Sequence, residues 1–314
     1  MPDFNFAKNF IDISNGYKMK KIKFYIAIFS VCAALSFAQG SSAIKIDPNN
    51  IPQGAIFDLN SPFIKDGRLD VNAVVKHFED MYRSTSSISE VELIITKPRS
   101  ERTLDMKVWT KGEDKALIVI TSPAREKDTA TLKVDNNLWN YLPRINRTIR
   151  IPPSLMMSSW MGSDFTNDDL VRETSFSKDY TYKLVGRVSV LITHEEASST
   201  ETRAKSNESR ITGWQVDLIA KPDIVGLWNK IELILSDDGQ IPLQAKYYDR
   251  KDRLARTIIW SDVKDFDGHV VPSKMVLTPE DEKGQKTEMI YKDIEFNVTV
   301  PDDTFSLSQL ERKR

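Results

Sequence analysis

Three histidines, one cysteine and a group of aspartates are the side chains from which chemistry could be built. His77 lies on an apolar-periodic stretch, His194 in a polar run and His269 beside an Asp267-Gly268 turn. None has a second histidine at the spacing a metal site needs. Asp164, Asp168 and Asp169 sit close enough for a calcium loop, but the glycine and the closing glutamate of that loop are missing at the required places. Helix capping is the better account, because Thr166 and Asp169 have capping-box spacing. The sequence has no G-x-S-x-G, no P-loop and no dinucleotide-binding glycine run. The expectation is a protein that is not an enzyme and uses no cofactor or metal.

The remaining distinctive chemistry is apolar and basic. Arg144, Arg147 and Arg150 recur every third residue, so on a strand Arg147 faces one way and Arg144 with Arg150 the other. They form no single stripe, which argues against a nucleic-acid partner, as does a net charge of −1. A solvated edge, locking contacts to the acidic stretch Asp164–Asp169, and contacts to polar head groups remain open for them. Arg147, Arg150 and Asp164 are the candidate locking set.

Pro152-Pro153 then ends the strand and sets a new direction. The spacing that follows predicts a helix over 154–161, with Leu155, Met156, Met157, Trp160 and Met161 covering almost its whole circumference. Unbranched, polarizable methionine suits a surface that repacks. A helix apolar all round must be covered. It either plugs the concave face of a sheet permanently or forms a lid over a ligand. With Trp109, Trp139 and Tyr141, these five residues are the candidate cavity and lid.

Around this segment the periodicity defines two meanders. Asp70 is placed to cap a helix to about Arg83, with Val71, Val74, Val75, Phe78, Met81 and Tyr82 on one stripe. From Ser89 the period becomes two, with short strands through Ile151. Leu117–Ile120 is continuously apolar, so both its faces are expected to be covered. Strands resume at Tyr180. The polar stretch 194–210 reads as a mobile surface loop, and strands then run from Trp214 to Glu295. Asp237-Asp238-Gly239 and Asp267-Gly268 mark hairpin turns. The short connections require antiparallel pairing, and so many strands must curl, split or close. The fold class is α+β, mainly antiparallel β, with about 11–12 strands in a curled sheet and helices at the start and in the middle.

The N-terminus reads as an export signal. After Met19, the better initiator, come Lys20, Lys21 and Lys23, an apolar run from Phe24 to Leu35, and a small-x-small site at Ser36-Phe37-Ala38. Cys32, the only cysteine, falls inside that run, so a chain cleaved at Ala38 has no thiol. Residues 1–38 hold five basic and two acidic side chains, so their removal takes the net charge from −1 to −4. Residues 39–69 are a lead, and 70–314 are expected to form one domain.

The run LWNYLPRINRTIRIPPSLMMSSWMGSDFTNDDL resembles the signature region of the LolA-like outer-membrane lipoprotein-sorting protein family. IPLQAKYYDRKDRLARTIIWSDVKDFDGHVVPSKMVL resembles that family's paired hairpins ending in a D-G-x-x-V-P turn, and KTEMIYKDIEFN and DDTFSLSQL also fit. The resemblance covers about residues 70–312, and the polar insertion at 194–210 departs from it. It implies a curled incomplete barrel, a half-barrel whose concave face is closed by helices over an apolar cavity, acting as a monomeric periplasmic carrier. Lipid or lipoprotein acyl chains are the expected cargo, membrane contact would be transient, and an inner-membrane transporter is a possible partner. At roughly 0.8 kcal/mol per methylene, a sixteen-carbon chain resists entering water by about 13 kcal/mol, which is why a carrier needs a dry container. The competing expectation is a binding module on the same fold that senses lipid or docks to a transporter or regulator.

Overall fold

The computed structural model describes residues 44–45, 61–172, 176–195, 206–222 and 228–311. The expected signal segment, most of the lead and the centre of the polar insertion lie outside them.

The chain first forms strand β1 (Ile44–Lys45), a small hairpin of β2 (Ile64–Lys65) and β3 (Arg68–Leu69), and helix α1 (Val71–Asp80). Asp70 caps α1 as expected, its carboxylate accepting from Ala73 N at 3.2 Å. The apolar stripe buries Val74 and Val75. Gly239, in the predicted Asp237-Asp238-Gly239 turn, sits against this corner with φ +76°. A Cβ there would lie 2.7 Å from Leu69 Cδ1, so the turn needs glycine both for its dihedral and for its close approach.

The first meander comprises β4 (Ser86–Lys97), β5 (Ser100–Lys111), β6 (Lys115–Ser122), β7 (Ala130–Val134), β8 (Asn137–Leu142) and β9 (Arg147–Arg150). After a connection containing helices α2 (Asn167–Arg172) and α3 (Phe176–Asp179), the second comprises β10 (Tyr180–Glu195), β11 (Ser206–Ala220), β12 (Lys230–Leu235), β13 (Pro242–Tyr248), β14 (Leu254–Phe266), β15 (His269–Pro279) and β16 (Lys286–Phe296). Every pairing is antiparallel, and β16 returns to pair with β4, joining both meanders into one 14-stranded sheet. The sheet is open, with β9 at one end and the two-residue β1 beside β10 at the other.

This order makes the central connection decisive. The chain leaves the sheet at the β9 edge and re-enters at β10, next to the opposite edge, so residues 151–179 span between the two ends. Side chains from strands as far apart in the order as β8 and β13 line one cavity together with those of this connection, which requires the sheet to curl around it.

Three expectations need correction. The sheet has 14 strands rather than 11–12, partly because the two-residue β1 lies in the lead, where no apolar period signals it. The polar insertion is not all loop: β10 runs to Glu195 and β11 starts at Ser206, with His194 opposite Asn207. Backbone pairing needs no apolar side chain, so composition misses it. Residues 154–161 are not an α-helix either. Only a 3-10 turn, Pro153–Leu155, forms. Ser159 then bridges Thr166, Trp160 N donates to Phe165 O at 2.7 Å, and Met161 and Gly162 turn the chain with φ +52° and +76°. The serines compete for the backbone: Ser159 Oγ donates to Ser163 O at 2.5 Å and Ser163 Oγ to Trp160 O at 2.7 Å.

Behind the sheet, the C-terminal segment covers the outer face of the first meander. A 3-10 turn, Asp302–Phe305, and helix α4 (Leu307–Leu310) bring Val300, Phe305 and Leu310 onto Leu117, Val119 and Leu132. Ser306 caps α4 by accepting from Gln309 N at 3.2 Å. Ile118 and Ile120 point the other way, toward the main core. Leu117–Ile120 is thus covered on both faces, as its unbroken apolar run implies.

Candidate functional site

On the concave face lies a cavity of about 180 Å3. By the measure on which one water needs roughly 10–15 Å3, this interior is hollow rather than packed. Its wall takes alternate residues of the strands, such as Val108 on β5, Ile118 on β6, and Ile258 and Trp260 on β14. The connection supplies the cap through Trp160, Phe165, Leu170 and Phe176. Trp160 is almost completely buried, and its indole Nε1 donates to Thr131 Oγ1 at 3.1 Å.

A buried ion pair fastens this cap to the wall, and an exposed one, Lys178 Nζ to Glu113 Oε2 at 2.9 Å, joins the cap to the β5–β6 turn. Asp169 on α2 receives both terminal nitrogens of Arg256 on β14, each at 2.7 Å. The same carboxylate accepts from Thr166 N at 2.7 Å, so the capping box and the ion pair share it. The Arg256 guanidinium lies 4.3 Å from the ring centroids of both Trp228 and Tyr247. Burial opposes the charge on both partners, but the opposite charge and the paired hydrogen bonds overcome it. Asp169 is held below the usual carboxylate range and Arg256 above its ordinary value. The other end of the cap is tied by Ser177 N, which donates to Glu79 Oε1 of α1 at 2.7 Å. Burial raises the Glu79 carboxyl above its ordinary value despite the Ser177 bonds.

Two buried donors of the wall, Arg256 Nε and Trp260 Nε1, have no acceptor among the described residues. The interior is mainly apolar, with Arg83, Lys133, Asp168, Asp179 and the Asp169–Arg256 pair also on its lining. Among the described residues no group of three or more histidine, cysteine or acidic side chains is placed to hold a metal ion.

Of the residues singled out from sequence, Trp160 lines the cavity. Met161 packs against the main core, and its carbonyl accepts from Arg102. Met156 is half-buried, and its carbonyl accepts from Asp168 N at 2.8 Å. Leu155 and Met157 are exposed, 47% and 41%, because the chain here is a turn and not a helix against the sheet. Trp109, Trp139 and Tyr141 belong to the outer cluster beneath the C-terminal segment. Trp109 and Trp139 each stand one residue out of phase with a cavity position, since Val108, Thr110 and Leu138 face inward instead. The expected lock also differs. Asp164 bonds Thr287, whose Oγ1 donates to Asp164 Oδ2 at 2.6 Å. Arg147 is exposed, and Arg150 donates to Asn137. The partner that sequence reasoning missed is Arg256. Its signal was present: it shares the inward face of β14 with Ile258 and Trp260, a charge where the period demands an apolar residue.

A family model described only as an uncharacterized protein matches residues 112–312. No curated protein shows a significant sequence match. Among solved structures, a DUF1329 family protein from Desulfovibrio piger is 24% identical, with a TM-score of 0.61 over 76% of this chain and 96% of that one. A LolA superfamily protein from Nitrosomonas europaea is 20% identical, with a TM-score of 0.58 over 76% and 98%. An outer membrane lipoprotein-sorting protein domain from Vibrio parahaemolyticus is 21% identical, with a TM-score of 0.58 over 76% and 97%. At these identities the likeness establishes the fold.

Proposed function

Because the chain belongs to this family of uncharacterized proteins and has the LolA-like fold, we propose that it is a periplasmic carrier for a lipid or the acyl chains of a lipoprotein. It takes its cargo into the concave cavity, moves it between envelope membranes, and works alongside an inner-membrane transporter. The observation that carries this reading is a hollow, mainly apolar interior under a cap held to the wall by a buried ion pair. Opening requires Asp169 to leave Arg256. A buried pair is costly to separate and gives a closed state that does not drift open. The export signal at residues 19–38 supports the location. Among the described residues no helix is long and apolar enough to cross a membrane.

A second reading, an envelope binding module that senses lipid or docks to a transporter or regulator, has one observation in its favour. Leu155 and Met157 face solvent rather than the cavity. The readings separate in a single preparation. Protein purified from cell envelopes is extracted for lipid mass spectrometry and then assayed for moving a fluorescent phospholipid from donor to acceptor vesicles. The carrier reading expects co-purifying lipid and transfer. Retained lipid without transfer supports the binding module. A chain that is always empty and takes up no acyl probe removes the carrier.

A further inference from the structure

We propose that the stretch from Arg144 to Met157, at the β9 end of the sheet, is a docking surface for an anionic lipid bilayer. Residues 136–163 contain three arginines and no acidic residue, in a chain that is 28% charged. From Arg144 to Ser159 not one residue is buried. Among the described residues eight large hydrophobic side chains stand exposed, and four of them fall here: Ile145 at 57%, Ile149 at 44%, Leu155 at 47% and Met157 at 41%. Arg144, Arg147 and Arg150 are interleaved with them, and among the described residues no carboxylate pairs with these arginines. Exposed aliphatic side chains set among unpaired cations are the chemistry of a surface that meets anionic head groups and dips into the acyl boundary beneath.

The location supports the same occupant. Strand β9 ends the sheet, so no neighbouring strand covers it. The other exposed apolar pair among these eight that shares one hairpin, Val263 and Val270 on β14 and β15, carries Asp262, Asp265 and Asp267 on that hairpin. An anionic surface would repel that tip, so exposure alone does not distinguish the β9 end; the sign of its charge does. The stretch is also coupled to the cap. Asn167 Nδ2 donates to Leu155 O at 2.9 Å and Asp168 N to Met156 O at 2.8 Å. These bonds hold the first turn of α2, the helix that carries Asp169. Docking at Leu155 and Met157 therefore acts directly on the element that closes the cavity, and a carrier that opened only on a membrane would need that connection. The proposal rests on the carrier reading for its purpose but is measured apart from it.

The test is co-sedimentation of the purified chain with vesicles of phosphatidylcholine plus phosphatidylglycerol, against phosphatidylcholine alone, at low and high salt. Binding is expected to the anionic vesicles and to weaken with salt. The triple variant Arg144→Glu, Arg147→Glu, Arg150→Glu is expected to lose about tenfold or more in vesicle affinity. Leu155→Ser with Met157→Ser is expected to lose affinity too. Because the altered side chains are exposed, both variants should keep the wild-type melting temperature and acyl-probe uptake. Equal binding of wild type and triple variant overturns the proposal, as does equal binding to neutral vesicles. So does a wild type that binds no vesicle while the same residues cross-link to a protein partner. Absent vesicle binding with intact probe uptake sinks the docking surface and leaves the carrier standing. Vesicle binding by a chain that takes up no acyl probe does the reverse.

Discussion

In the first meander, neighbouring residues serve two different interiors. Val108, Ile118 and Thr131 face the cavity, while Trp109, Leu117 and Leu132 pack outward beneath Val300, Phe305 and Leu310. Both faces are apolar and both are covered. One cover is the C-terminal segment, seated on a close-packed cluster. The other is the connection 151–179, seated over space and fastened by Asp169 and Arg256. A cover over a packed cluster contributes stability alone. A cover over a hollow, held by a charge pair, can also release.

The comparison is broken most severely at Arg256. Arg256→Ala leaves Asp169 buried and unpaired, and a loss of about 3–5 kcal/mol is expected in denaturant unfolding. An unchanged midpoint would mean that the pair does not hold the cap. On the outer face, Leu132→Ala should cost about 2–5 kcal/mol, as buried leucines do, and leave acyl-probe affinity at the wild-type value. A parallel loss of affinity would show that the two faces are not separate.

Acid titration sharpens the same contrast with a smaller effect. Asp169 is depressed in the folded chain, so its stabilisation is complete above 3.8, its ordinary value, and is lost as pH falls through the depressed one. Arg256, raised, keeps its charge across that window. As pH falls below 3.8 wild type should therefore lose more stability than Asp169→Asn, measured as the shift in unfolding midpoint. Equal slopes would contradict the ion pair. The smallest stability change is expected on filling the cavity. Val108→Phe with Ile118→Phe should cost less than about 1 kcal/mol, below the roughly 1–3 kcal/mol of overpacking a solid core. Probe affinity should fall by about tenfold or more, the discrimination that about 1.4 kcal/mol of lost binding gives.

Local rules made much of this architecture legible. Asp70 and the 3.6-residue stripe give α1, the period-two runs and turn pairs give the meanders, and Thr166 with Asp169 gives the start of α2. Alternation says that two faces differ but not which one encloses the cavity. On β6 both faces are apolar, and on β5 and β8 aromatic residues stand outward, because a distant C-terminal segment covers that side. That is why the strand period alone does not place Trp109, Trp139 and Tyr141 in the outer cluster where they pack. The run 154–161 has a helical apolar pattern, yet Ser158, Ser159, Ser163 and Gly162 offer turn hydrogen bonds and a left-handed position that outweigh it. Arg256 stood in an inward register on β14, but its partner lies 87 residues away on α2, a distance no local pattern spans.

Five of the six tryptophans divide along the same line, and the sixth, Trp214, is buried in the main core with its indole Nε1 donating to Asp237 O. Trp160, Trp228 and Trp260 line the cavity, while Trp109 and Trp139 lie in the outer cluster. A brominated fatty acid quenches indole fluorescence only where it comes into contact, so titrating it into the chain measures whether hydrocarbon enters the concave face. Quenching is expected in the wild type and in Trp109→Phe with Trp139→Phe, and should disappear in Trp160→Phe with Trp228→Phe and Trp260→Phe. Quenching that vanishes with the outer pair, or that never occurs in the wild type, would contradict a hydrocarbon-binding cavity.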